Sequence, residues 1–207
     1  MSSVKLPFFS SIASSFLSGL AIVFGTVVFL SCPDRIIGSA LFSFALMTII
    51  CRGLLLYTGK IGYIRTFGLK NILVTLMGNL IGTFVGGTLL SFTRINGTPL
   101  VAGIQQHAQT LVNVKLSDSL LSVFILACCC GVMMFLAVDN YAKSKSWIFV
   151  VLPIMVFILC GFEHCIANAA YITLAGAWSL QAAIYLGVMI AGNAVGSWIF
   201  LLQREQE

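Results

Sequence analysis

Six stretches of this 207-residue chain, at about 12–32, 35–57, 71–92, 119–138, 147–163 and 180–202, are apolar almost without interruption. Each is close to the ~20 residues that an α-helix needs to cross ~30 Å of hydrocarbon. Such a chain has few folds open to it, because in lipid every backbone N–H and C=O must find a partner inside the protein. Helices meet that demand segment by segment, and runs this long and unbroken are not the short alternating strands of a β-barrel. Only 8% of the residues are charged and the mean hydropathy is +1.06, against about 25% charged in soluble domains. The expectation is an all-α membrane protein of six transmembrane helices, one domain over 1–207, embedded in a lipid bilayer.

Charge placement sets the expected orientation. Six spans put both termini on one side, and that side would hold Lys5, Lys60, Arg65, Lys70, Lys143, Lys145 and Arg204. The other side would hold Arg35, Arg94 and Lys115. The basic excess favours cytoplasmic termini in the cell (inner) membrane. The first 11 residues read as a short cytoplasmic or interfacial lead-in, without the charged start and cleavage site of a signal peptide. No basic helix with aromatic neighbours is present, so no nucleic-acid partner is expected. Cys51, Cys128, Cys129, Cys130, Cys160 and Cys165 lie in apolar runs and Cys32 at the end of one. Three consecutive helical cysteines point to different faces and cannot close a metal site, so they read as small packing residues, with no metal or cofactor.

Two spans are interrupted. The second runs on through "CRGLLLYTGKIGYI" and the fifth through "LCGFEHCIANAAYITLAGAW". Non-helical backbone at membrane depth is tolerated only inside protein or along a cavity. Each interruption is followed by a span with one signature, "LMGNLIGTFVGG" and then "IAGNAVGSW", which place Asn79 and Asn193 in matching G-N-x-x-G settings. One such motif could be helix packing through small residues. Two, each downstream of a broken span, indicate an inverted three-helix repeat with halves at about 12–92 and 119–202. Between the halves, "TRINGTP" reads as a turn, and Leu100, Ile104, Ala108, Leu111 and Lys115 follow helical spacing, which predicts a short interfacial helix.

Charged groups near the bilayer centre cost at least ~2.5–3.5 kcal/mol each, so they need partners, water or a function. Arg52, Lys60, Glu163 and His164 are the candidates. The plain reading of Glu163 is an ion pair with Arg52 or Lys60 that ties the broken elements together. His164 differs, because it sits at a helix break, where transporters present backbone and side chains to substrate.

These residues carry a resemblance. "GFEHCIAN" resembles the fifth-span signature of the formate/nitrite transporter family, whose usual form is G-F-E-H-[SC]-[IV]-A-N. "RGLLLYTGK" is similar to that family's second-span loop, usually G-x-E-L-F-T-G-N, and "MGNLIG", "AGNAVG" and "VLPIMVFILCGFEH" also fit. The resemblance implies an aquaporin-like arrangement in a homopentamer, with a pore in each protomer for small monovalent anions or their acids: formate, nitrite, acetate, lactate or hydrosulfide. It implies that His164 is the central histidine, with Thr58 opposite it. Phe42, Leu46, Leu56, Tyr57 and Phe157 would form the apolar constrictions, Lys115 a vestibule cation, and Asn168 and Asn193 polar positions near the loops. The chain departs from the pattern at Leu55, where a glutamate is usual, at Lys60 for asparagine, at Tyr57 for phenylalanine and at Gly131 for asparagine.

An apolar constriction opposes a bare anion far more than its neutral acid. A positive vestibule would concentrate the anion. His164 could then pass it a proton, or stay neutral and donate a hydrogen bond together with Thr58 while protons come from water. Two other readings compete. An aquaporin-like channel for neutral solutes would share the repeat, but the paired N-P-A motifs are missing. A haem or enzyme subunit would need a second ligand or a catalytic triad, and His107 in the central connection is the other histidine. The chain is therefore expected not to be an enzyme.

Overall fold

The computed structural model describes residues 8–97 and 103–199. Lys5, Arg204, Pro99 and Leu100, which figure in the sequence reading, lie outside the described residues. The described chain is helical: α1 Phe8–Ser31, α2 Arg35–Cys51, α3 Tyr57–Lys60, a 3-10 turn Ile61–Tyr63, α4 Ile64–Phe67, α5 Leu69–Ser91, α6 Ile104–Ser117, α7 Leu120–Ser144, α8 Ile148–Leu159, α9 Cys165–Ala175 and α10 Leu180–Ile199.

Four of these, α1, α5, α7 and α10, are long and apolar enough to cross a membrane. The stretches expected to form the other two spans hold shorter apolar helices. The stretch predicted over 35–57 is helical to Cys51, leaves the helix at 52–56 and resumes at Tyr57; that over 147–163 is helical to Leu159 and resumes at Cys165. Local chemistry explains the ends. Asp34 starts α2 by accepting from the Ile37 N–H at 2.8 Å. Gly53 and Gly161, at φ 63° and 72°, take the left-handed backbone that turns the chain out of α2 and α8. The fourth span, expected to end near 138, continues to Ser144 and closes on Lys145 in a left-handed cap.

Polar groups point inward and apolar groups outward. Ser15, Thr26, Ser43, Asn79, Thr83 and Asn193 are buried, whereas Phe24, Phe44, Met77, Phe84, Ile125 and Leu152 are exposed. That inversion suits a hydrocarbon solvent, in which inter-helix hydrogen bonds and close packing hold helices together. The chain is a multi-pass membrane protein.

Helices before and after α6 pair in the same pattern. α1 packs along α5 and beside α2; α7 packs along α10 and beside α8. α5 also meets α9, α10 meets α3, and α2 and α8 pack against each other. α6 lies on α9, burying Ile104, Ala108 and Val112 at successive helical turns. This placement matters, because it carries Lys115 from the connection to the second break.

Candidate functional site

The site is built on two breaks held by the same device. At the first, Asn79 on α5 accepts from the Tyr57 N–H at 2.7 Å and donates to the Leu55 carbonyl at 2.9 Å and to Ser15 O on α1 at 2.7 Å. At the second, Asn193 on α10 accepts from the Cys165 N–H at 2.9 Å and donates to the Glu163 carbonyl at 2.7 Å and to Ala127 O on α7 at 2.8 Å. In each case one amide satisfies the first helical N–H after the break, the carbonyl two residues earlier, and a carbonyl of the neighbouring long helix. A carboxamide suits this because it offers two donors and an acceptor in one plane. The repeated G-N-x-x-G is thereby explained: the glycines let the long helices touch, and the asparagine repairs backbone that a break would leave unpaired.

The sequence reading placed Asn193 among pore residues; the structure shows its amide occupied by backbone at the break. Asn79 has the equal role that the duplicated motif signals. Ser14, whose Oγ accepts from the Leu55 N–H at 3.0 Å, had no sequence signal.

His164 occupies the junction between α8 and α9. Its Nδ1 accepts from the Ala167 N–H at 3.0 Å and so caps α9. An accepting Nδ1 carries no proton, so the imidazole is the neutral tautomer with its proton on Nε2. That Nε2–H donates to Thr58 Oγ1 at 2.9 Å, which joins the two broken segments directly. Thr58 then has its own hydroxyl proton free to aim at a third group. The Phe157 ring stacks on the imidazole with centroids 5.5 Å apart, and Phe42 meets Phe157 edge-on at 6.0 Å. Phe42, Leu46, Leu56, Tyr57, Phe157, Thr58 and His164 are each buried to 3% exposure or less. The residues singled out for the constriction and its polar centre thus share one interior. Tyr57 also donates its hydroxyl to Ile190 O at 3.0 Å.

Glu163 is paired differently from the sequence reading. Its Oε2 accepts from Lys115 Nζ at 2.6 Å and from Asn168 Nδ2 at 2.7 Å. It does not pair with Arg52 or Lys60. Arg52 is exposed at the end of α2, and Lys60 lies on the other broken segment with its Nζ 5.7 Å above the Phe67 ring. The physical reason is α6, which seats Lys115 on α9 beside Glu163. Lys115 is therefore a paired cation and not a free one. Asn168 keeps its Oδ1 buried and, among the described residues, without a hydrogen-bond partner, an open acceptor one helical turn from His164.

The pair makes a prediction. Lys115→Ala strands a buried carboxylate and should cost ~3–5 kcal/mol, whereas Lys115→Met with Glu163→Gln should cost much less. Thermal unfolding of the detergent-solubilised protein, read as a double-mutant cycle, checks this; additive losses would contradict the coupling.

The family model described as formate/nitrite transporter matches residues 1–203. A curated relative, the formate channel FocA of Haemophilus influenzae, is 28% identical over 140 residues, 64% of this chain and 46% of the relative. The chain thus matches over about half the length of that relative. Among solved structures, one described as an FNT family ion channel superposes with a TM-score of 0.82 at 18% identity, covering 96% of this chain and 90% of that one. Another, a pentameric formate channel with formate bound, superposes with a TM-score of 0.77 at 24% identity, covering 96% and 94%. At these identities the structures establish the fold. With its family model matching nearly end to end, the chain belongs to the formate/nitrite transporter family.

Proposed function

We propose that this protein is a channel for small monovalent anions or their conjugate weak acids, with formate, nitrite, acetate, lactate and hydrosulfide as the candidate class. The observation that carries the reading is the His164–Thr58 hydrogen bond at 2.9 Å, set beside stacked phenylalanines where two clamped breaks meet. α8 and α9, at 12 and 11 residues, are each roughly 16–18 Å long at 1.5 Å per residue, so neither alone crosses ~30 Å of hydrocarbon. End to end they do. Reading α2 with α3–α4, and α8 with α9, as broken spans gives six spans in two inverted halves, within a single domain. The formate-bound pentamer among the structural neighbours supports a homopentamer with formate in its substrate class. The basic excess supports cytoplasmic termini in an inner membrane.

The chemistry follows from the neutral tautomer. An anion moving toward Phe42 and Phe157 loses water, which penalises its charge and favours its neutral acid. Thr58 offers it a hydroxyl proton to hydrogen-bond, fixed in direction because His164 Nε2–H already occupies the oxygen. The open Asn168 Oδ1 can accept from a solute O–H or S–H. His164 serves as a donor held in place rather than as a proton carrier. Protonating Nδ1 would break the α9 cap and set a cation at the positive end of a helix dipole. The proton that accompanies the anion therefore comes from water.

The test is current and uptake in proteoliposomes over a panel of these anions at several pH values. Weak-acid anions should be carried faster as pH falls. Swelling in water or glycerol with no response to any anion would replace this reading with a neutral-solute channel. His164→Asn, which keeps an N-capping oxygen, should lower flux roughly 10–100-fold, in line with the ~1–3 kcal/mol of leaving one buried partner unpaired, and keep the pH dependence. A variant whose flux no longer responds to pH would make the imidazole the proton carrier after all.

A further inference from the structure

The equivalence of the two breaks gives a residue-by-residue register. Asn79 binds the Leu55 carbonyl and the Tyr57 N–H, and Asn193 binds those of Glu163 and Cys165. Leu55 therefore stands where Glu163 stands, and Lys60, three residues after Tyr57, stands where Asn168 stands. At the second break the group is closed: Glu163 takes both Lys115 and Asn168, and its charge is cancelled. At the first break the carboxylate is replaced by leucine and the amide by an ammonium.

Lys60 is half-buried, and among the described residues no carboxylate is within ion-pair distance of it. Its Nζ lies 5.7 Å from the centroid of the neutral Phe67 ring. Among the described residues, the acid near this segment, Asp139, is already engaged by Lys143 at 3.2 Å and by the Tyr63 hydroxyl at 3.0 Å. An ammonium so placed keeps part of its field unscreened, because it is partly withdrawn from salt solution. It lies two residues from Thr58, on the segment leading from the His164 contact toward α5.

We propose that Lys60 is an anion-docking site at one end of the conduit only, so that passage is electrically one-sided: a small monovalent anion is concentrated at the Lys60 end and meets a neutral pair at the Lys115 end. This rests on the anion-channel reading above and adds to it a direction. The two mouths of a repeat-built channel have become unequal through Leu55 and Lys60.

The experiment is current against voltage in planar bilayers holding single insertions, with equal sodium formate on both sides. The ratio of currents at opposite voltages has a magnitude independent of which way the protein inserted. Wild type should conduct unequally, more so at low ionic strength. Lys60→Asn should bring the ratio close to one and raise the half-saturating formate concentration about tenfold, while Lys60→Arg keeps the wild-type behaviour. Should Lys60→Asn not fold, Leu55→Glu decides: it leaves Lys60 in place and supplies the missing carboxylate, and should abolish the asymmetry in the same way. A folded Lys60→Asn or Leu55→Glu channel with wild-type ratio and half-saturation overturns the docking site alone. Wild type that passes no anion at all overturns the channel reading with it.

Discussion

Asn193→Leu is expected to abolish transport and to destabilise the protein by on the order of 3–5 kcal/mol. Leucine is close in size, so the loss is one of hydrogen bonds, not of volume. The Cys165 N–H and the carbonyls of Glu163 and Ala127 would all lose their partner. Each unpaired group costs about 1–3 kcal/mol when buried. In addition, α9 would lose the fixed start that orients His164. Unfolding followed by fluorescence-detected size exclusion in detergent, with formate uptake on the same preparation, measures both effects. Asn79→Leu should behave alike, because its three bonds match one for one. A stable, active Asn193→Leu protein would mean that the breaks hold themselves and that the clamp is incidental. Asn193→Asp gives a finer test. It keeps the acceptor for Cys165 N–H but lacks the two donors, so it should lose most of the stability.

The second large effect is expected from Gly196→Leu. A Cβ on Gly196 would meet the Cys128 carbonyl oxygen, and one on Gly82 would meet that of Phe16. Both obstacles are backbone, so no rotamer change relieves them. α10 would have to move off α7, stretching the Asn193 bond to Ala127 as it went. Overpacking alone costs typically 1–3 kcal/mol, and the strained clamp adds to it, so even Gly196→Ala should lower thermal stability measurably. Gly187, with open space around its Cβ position, is the control on the same helix: Gly187→Ala should be neutral or slightly stabilising. Equal tolerance at 196 and 187 would refute the close approach.

Much of the molecule is legible from the chain. Apolar run length predicts the four long helices within a few residues at most ends, and the interruptions predict where α2 and α8 stop. The duplicated G-N-x-x-G marks two equivalent positions before any contact is known. What the motif does is less legible. A pore-facing amide and a backbone-clamping amide have identical spelling, and only the direction of the Asn193 side chain distinguishes them.

Pairing of charges is the other part that the chain leaves open. Opposite charges in a membrane must meet, but their spacing along the sequence does not say which ones do. Arg52 and Lys60 both sit at a break, as Glu163 does, and looked like its natural partners. The partner is Lys115, 48 positions away, because α6 folds back onto α9.

By itself the sequence determines that this protein is helical and membrane-spanning, because hydrocarbon permits no other home for runs so apolar. Tertiary structure alone decides which donor meets which acceptor across the helices. Hydrogen bonds and ion pairs act over about 3 Å, and the positions that come so close belong to segments that local composition cannot bring together.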